Sequence, residues 1–165
     1  PKLFGGLTNT FSYGGFTLST LLTYQFGGHF LDHFEGFAIS DGARTISVNS
    51  SKDLVGNYWT PTNTTASNPL PILNNPLSSA RLASTRFLHS SDFVRLKEVA
   101  LSYRLPSSLT KALHVNSASV SLTANNLFYL YAATKNKELE TPLNGFRTAD
   151  IPALRTVSFG VNVGF

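Results

Sequence analysis

The chain has 165 residues, and only 13% of them are Asp, Glu, Lys or Arg, about half the charge content of an ordinary globular protein. With 42% hydrophobic and 12% aromatic residues it carries too much apolar surface to remain disordered, and its polarity comes instead from 19 Ser, 17 Thr and 13 Asn. The net charge of +4 is scattered, which argues against nucleic-acid binding, and zero cysteine removes disulfide scaffolds, thiolate metal sites and cysteine nucleophiles.

Absence of any methionine suggests a processed product or a piece of something longer. No apolar run approaches the roughly 18 residues of a spanning helix; the longest covers residues 127–133. Five segments instead alternate with period two. Residues 3–13 place Leu3, Leu7, Phe11 and Tyr13 on one face. A tight turn at Tyr13-Gly14-Gly15 follows, where glycine supplies the positive φ of a hairpin. Residues 16–26 set Phe16, Leu18, Leu22, Tyr24 and Phe26 against Thr17, Ser19, Thr23 and Gln25.

A long connection, residues 27–91, comes next. The third alternating segment, residues 93–105, puts Val99, Leu101, Tyr103 and Leu105 on one side, with Arg95 and Lys97 continuing that parity where the apolar stripe stops. After a short link at residues 106–115, residues 116–131 set Ala118, Val120, Leu122, Ala124, Phe128 and Leu130 against Ser117, Ser119, Ser121, Thr123 and Asn125. A second long connection, residues 132–153, leads to a final strand with Val157, Phe159, Val161, Val163 and Phe165 on the apolar side.

Soluble sheets also alternate, but their solvent faces usually carry Lys, Glu and Arg. Residues 3–31 and 112–134 contain none of Asp, Glu, Lys or Arg. In a bilayer such strands make sense: the apolar face meets lipid, and the Ser/Thr/Asn/Gly face lines an interior. The lengths suit the roughly 9–11 tilted residues that cross the hydrocarbon core. Aromatics gather at both strand ends, Tyr13, Phe16, Tyr103 and Phe165 at one and Tyr24, Phe26, Phe128, Tyr129 and Tyr131 at the other, as two interfacial girdles require. Connections alternate short, long, short, long, matching periplasmic turns and extracellular loops, so Phe165 is expected on the periplasmic side. Five strands do not close a transmembrane barrel, and an open edge in lipid leaves backbone groups unpaired. The remaining wall is therefore expected elsewhere, with this chain as the C-terminal part of a larger protein.

Several stretches resemble the C-terminal end of the SusC/RagA-type TonB-dependent outer-membrane transporters. The run Ser91-Asp92-Phe93-Val94-Arg95-Leu96-Lys97-Glu98-Val99-Ala100-Leu101-Ser102-Tyr103-Arg104-Leu105-Pro106 is similar to that family's strand of the form S-Y-L-R-L-K-N-V-T-L-S-Y-x-L-P. Also similar are Gly14-Gly15-Phe16-Thr17-Leu18-Ser19, Trp59-Thr60-Pro61 with Asn63, Val120-Ser121-Leu122-Thr123-Ala124-Asn125-Asn126-Leu127-Phe128, and Arg155-Thr156-Val157-Ser158-Phe159-Gly160-Val161-Asn162-Val163. The resemblance implies an all-β fold, the last five or so antiparallel strands of a barrel of about 22 strands with long extracellular loops. It also implies a plug domain outside this chain, a SusD-like surface lipoprotein partner, energy from the TonB–ExbB–ExbD system, and import of an oligomeric nutrient, glycan or peptide, across the outer membrane. The final aromatic, Phe165, with Val163, Val161 and Phe159, resembles the signal read by the outer-membrane assembly machinery. The loops depart from the family pattern: Thr62 stands where an acidic residue or glycine is common, and Asn68-Pro69-Leu70-Pro71 replaces a Pro-Arg-like segment.

No catalytic constellation is indicated: neither a G-x-S-x-G elbow nor H-E-x-x-H occurs, and no cofactor motif is found. His29 and His33 would share a face if their segment were helical, with Asp32 and Glu35 nearby, but flanking glycines and Phe30, Leu31, Phe34 and Phe37 point to loop packing, with no further metal ligand indicated. The sequons at Asn49 and Asn63 mark exposed loops. Loop residues Tyr58, Trp59, Phe146, Arg81, Arg86 and Arg147 offer stacking surfaces and carboxylate partners to a ligand or lid, although packing of the long loops on themselves explains each more simply, and Trp59 reads as a loop anchor. The rival architectures are a β-sandwich adhesion or binding module, soluble or surface-exposed, and a passive porin-like pore.

Overall fold

A computed structural model describes residues 1–43, 49–77, 79–135, 137–140, 144–148 and 151–165. In chain order the elements are β1 (Leu3–Tyr13), β2 (Phe16–Phe26), β3 (His29–Asp32), α1 (His33–Ala38), a 3-10 turn at Lys52–Leu54, a second at Thr85–Phe87, β4 (Leu88–Ser90), β5 (Phe93–Arg104), α2 (Ser107–Ala112), β6 (Ser117–Ala132), β7 (Phe146–Arg147) and β8 (Thr156–Gly164). They divide into two compact units, one built on Pro1–Gly28, Ser91–Leu139 and Pro152–Phe165, the other on His29–Ser90 and Glu140–Ile151.

The first unit is a five-stranded antiparallel sheet in the order β1-β2-β5-β6-β8. All five alternating segments form its strands, and the β1–β2 hairpin runs without a register break from Leu3↔Phe26 to Tyr13↔Phe16. Gly14 (φ 56°) and Gly15 (φ 88°) form a two-residue loop with both central residues left-handed, a turn whose twist matches that of the strands it joins.

Cross-strand partners share a face, so the register assigns every side chain to one side of the sheet. Phe11, Leu18, Leu101, Leu122 and Phe159 form one unbroken apolar row across all five strands. On the opposite face the neighbouring row reads Ser12, Thr17, Ser102, Ser121 and Gly160. Gly160 leaves room where that row is tightest, since a Cβ there would lie 2.7 Å from the Ser121 hydroxyl.

Strict alternation misplaces the upstream half of β5. The pairing steps from Leu21↔Glu98 to Leu22↔Leu96, so Lys97 is the extra residue of a β-bulge and the faces exchange there. Val94 and Leu96 thereby join the apolar side, opposite Tyr24 and Leu22, whereas Arg95 pairs with Thr23 on the polar side. The apolar stripe expected to stop at Lys97 in fact continues to the strand end. A related correction concerns Tyr129: paired with Arg95, it lies on the polar face and is not a member of the lipid girdle. Tyr24, Phe26 and Tyr131 remain together on the apolar face, the Phe26 and Tyr131 rings 6.3 Å apart. The short link at residues 106–115 contains α2, whose first turn follows the rigid φ of Pro106.

The second unit has its own three-stranded sheet, β4-β3-β7, with β3 antiparallel to β4 and parallel to β7. Asp32 caps α1, its carboxylate accepting from the Glu35 N–H at 2.9 Å. Phe30, Leu54 and Phe87 are buried as a small core, the loop packing that such a long connection requires.

Candidate membrane wall and lumenal face

Among the described residues the apolar side of the five-stranded sheet is largely exposed. Leu7, Phe11, Leu122, Val157, Phe159 and Val161 are between 48% and 70% exposed, although they occupy the positions that a soluble sheet turns into its core. A β-sandwich would bury this face under a second sheet. A continuous exposed apolar face spanning five strands is the kind of surface that marks contact with a membrane or a partner rather than with bulk water. The same side carries an aromatic cluster at the short-turn end, where Tyr13, Phe16 and Tyr103 share one row and the Phe16 and Tyr103 rings lie 4.3 Å apart. Val161, Val163 and Phe159 of the expected assembly signal belong to this face, paired with Val120, Ala118 and Leu122, and Phe165 beyond them is 92% exposed.

The opposite face is built for water and hydrogen bonding. Ser12 and Thr17 hydroxyls lie 3.0 Å apart, and Thr10 and Ser19 hydroxyls 3.4 Å apart, across the β1–β2 pair. Near the long-loop end this face is dry. Arg95, 3% exposed, places its guanidinium 4.7 Å from the Tyr129 ring centre and donates to Glu138 at 3.0 Å and to the Tyr129 hydroxyl at 3.2 Å. Tyr129 in turn donates to Glu138 and accepts from the Leu139 N–H, while Leu139 is fully buried. A short stretch following β6 is thus clamped onto the polar face by an arginine that the bulge has turned inward. The neighbouring strand ends are tied by Asp92, whose Oδ1 accepts from the Gly27 N–H at 2.6 Å and from the Gly28 N–H at 3.3 Å, and by Gln25, which donates to the Ser91 hydroxyl at 2.7 Å.

In the loop unit Arg86 acts as a packing hub. It donates to the carbonyls of Ala80 and Ile39 at 3.1 Å each and to the Asn68 side chain at 2.7 Å, and its guanidinium lies over the Phe87 ring. Burial lowers its pKa from the ordinary arginine value, opposed by the nearby Glu35 and Asp41 carboxylates. Arg81 lies over Phe37 and Arg147 over Phe30, each 5.9 Å from the ring centre. Tyr58 and Trp59 are tied through their backbone to Asn68, and the Trp59 N–H donates to the Asn68 carbonyl at 2.8 Å. Phe146, in β7 opposite Leu31, is 55% exposed. Arg81, Arg86 and Arg147 therefore meet loop side chains, whereas Trp59 and Phe146 keep substantial free ring surface.

His29 and His33 do not share a helical face. His29 opens β3 and pairs with Ser90, whereas His33 begins α1 and meets the Phe37 ring edge-on. Glu35 instead pairs with His89, a partner from β4 that no local spacing could indicate. Among the described residues no group of three or more His, Cys, Asp or Glu side chains converges as a metal site would require. No helix in the described residues is long and apolar enough to span a membrane.

No protein-family model matches the chain. Two curated relatives from Formosa agariphila do: TonB-dependent receptor P39, 28% identical over 173 residues, and TonB-dependent receptor P3, 24% identical over 176 residues. The matches take in 98% and 100% of this chain respectively, which spans 16% of the length of each relative. Among solved structures, the RagAB peptide transporter aligns with 98% of this chain at a TM-score of 0.77 and 26% identity, this chain covering 17% of that one. The RagAB peptide importer in its closed-closed state aligns at a TM-score of 0.76 and 27% identity, with the same coverages. Register, exposure and both kinds of likeness converge on one reading: the chain is similar to a segment of the β-barrel of SusC/RagA-type TonB-dependent receptors.

Proposed function

We propose that this segment forms part of the wall and outer loops of an outer-membrane active transporter that imports an oligomeric nutrient. The observation that carries the reading is the apolar row running unbroken across five strands and left exposed, opposite a face of small hydroxyl and amide side chains. Lipid satisfies the first face and an aqueous or plugged lumen the second, and both sheet edges, β1 and β8, continue into further strands of a closed barrel of the 22-strand class. The chain is the C-terminal part of that barrel, with the plug domain on the portion outside it. Both long connections leave and re-enter the sheet at the same end, since Gln25 pairs with Phe93 and Asn125 with Thr156. That end faces the cell exterior, where Trp59 and Phe146 offer ring surface to cargo or to a SusD-like lipoprotein lid. Energy comes from the TonB–ExbB–ExbD system, and no step of covalent chemistry belongs to this chain. The similar RagAB structures are of a peptide transporter and importer, which favours oligopeptide over glycan as cargo. The terminal row Phe159, Val161, Val163 and Phe165 serves the assembly machinery as its recognition strand.

The test is uptake of labelled oligopeptides and oligosaccharides by cells carrying or lacking the full-length gene. Gene-dependent uptake of one class, abolished by a protonophore, is the expected result. Uptake that survives collapse of the proton gradient identifies a passive pore and overturns active transport.

A further inference from the structure

We propose that α2 is an interfacial anchor, with Leu109 and the C-cap residue Leu113 seated in the bilayer leaflet at the short-turn end of the sheet; the proposal rests on the membrane reading above. Leu109 and Leu113 stand four residues apart, one helical turn, and therefore share a face. They are 50% and 60% exposed, while Thr110 between them is 6% exposed and ties the turn through its N–H and hydroxyl to the carbonyls of Pro106 and Ser107. The helix is thus fixed by Thr110 and presents two leucines outward.

The position of α2 in the wall limits what covers those leucines. It joins β5 to β6, and both strands are already flanked, by β2 and β8. Strands that complete the barrel attach beyond β1 and β8, and at about 4.8 Å per strand the nearer of them stands roughly 10 Å from β6. The missing wall therefore leaves α2 uncovered. The lipid-facing side runs continuously to this end: Tyr13, Phe16 and Tyr103 form its last aromatic row, and Ala118, on the same side and in β6 against which α2 packs, is only 8% exposed. Charge agrees with a lipid occupant. The sequence from Val99 to Lys137 contains no Asp or Glu, and the exposed Lys111 lies within the helix, two positions from each leucine. Apolar side chains in the acyl boundary with a cation reaching the phosphate plane are the composition of an interfacial helix.

Depth measurement tests this in the full-length protein, with cysteines elsewhere replaced by serine, reconstituted in phosphatidylethanolamine–phosphatidylglycerol vesicles. Single variants Leu109→Cys, Leu113→Cys, Lys111→Cys, Gly14→Cys and Phe159→Cys are spin-labelled, and collision with oxygen is compared with collision with a polar nickel chelate. Labels at 109 and 113 are expected to favour oxygen, those at 111 and 14 nickel, with 159 showing the largest oxygen preference. Nickel preference at 109 and 113 places α2 in water and overturns the proposal. Protection from both reagents there assigns the leucines to a protein contact and overturns it equally. Loss of oxygen preference at 159 as well means that the membrane wall itself is wrong, which separates that failure from a failure of α2 alone.

Discussion

Replacing Val157 with arginine tests the lipid-facing assignment most directly. Val157 is 70% exposed on the apolar face, paired with Ala124, and lies eight residues along the final strand from Phe165, which at about 3.4 Å per residue and a tilt near 45° sets it roughly 19 Å from that interface. A side chain there meets the inner part of the hydrocarbon, where an outward arginine on a barrel costs about 2–4 kcal/mol. At about 1.4 kcal/mol per tenfold, this shifts the folding equilibrium roughly 30- to 700-fold. Ser158→Arg, one residue on and facing the lumen, should cost almost nothing. Val163→Arg calibrates depth: six residues further along β8, at about 3.4 Å per residue, it lies roughly 20 Å along the strand and, with a tilt near 45°, about 14 Å deeper or shallower. That is half the roughly 30 Å core, so arginine at 163 sits at the interface and should cost about 0–1 kcal/mol. Urea titration of the full-length protein in lipid vesicles, followed by the loss of heat-modifiable migration, reads all three. A soluble sheet predicts instead a change within about 0.5 kcal/mol for any exposed position. Equal midpoints for the arginine variants at 157, 158 and 163 would refute the reasoning.

Further outcomes follow from the same geometry. Glu138→Ala removes a carboxylate partner of the buried Arg95 and should destabilise the clamp, by up to about 3–5 kcal/mol, seen as faster hydrogen exchange at the Leu139 amide, whereas Glu138→Gln keeps an acceptor for Tyr129 and should cost less. Arg86→Ala removes three hydrogen bonds from a charged donor and should loosen the loop unit by at least about 1.5–3 kcal/mol, read as protease cleavage within residues 79–90 while the barrel band stays intact. Phe165→Ser should lower the yield of protein assembled by purified assembly machinery, read as loss of the heat-modifiable band, because the side chain is 92% exposed at the end of the final strand.

What the sequence discloses, and what it conceals, follows from the range of each interaction. β1, β2 and β8 are legible to the residue or nearly so, because an unbroken ladder obeys period two and the Gly14-Gly15 turn announces itself. The upstream half of β5 was not, because a bulge is a one-residue insertion relative to partners far away in sequence: Lys97 looks like a lipid-side residue until Glu98 and Leu96 are seen to pair with adjacent residues of β2. Arg95 and Tyr129 inherit that error, and with them the clamp on Glu138, which is the most densely bonded part of the lumenal face. The loop unit was legible only as long and aromatic-rich. Its sheet joins Leu31 to Phe146, and its ion pair joins Glu35 to His89, separations over which no local pattern carries information. His29 and His33 sit on different elements, the first in a strand and the second in the helix, as flanking glycines that interrupt any long helix allow.

The first long connection begins and ends at one place, for His29 pairs with Ser90. Closing a loop of that length from an open chain costs roughly 3–4 kcal/mol of entropy by the (3/2)RT ln n relation, and a piece that folds with its own ends joined absorbs that cost before the wall strands meet. Such a piece behaves as a cassette joined to the ladder at residues 28 and 91: its interior can be lengthened or rewritten while β2 and β5 keep their register, provided β3 still pairs with β7 of the second connection. Diversification of what the outer surface recognises can then proceed without renegotiating how the wall inserts.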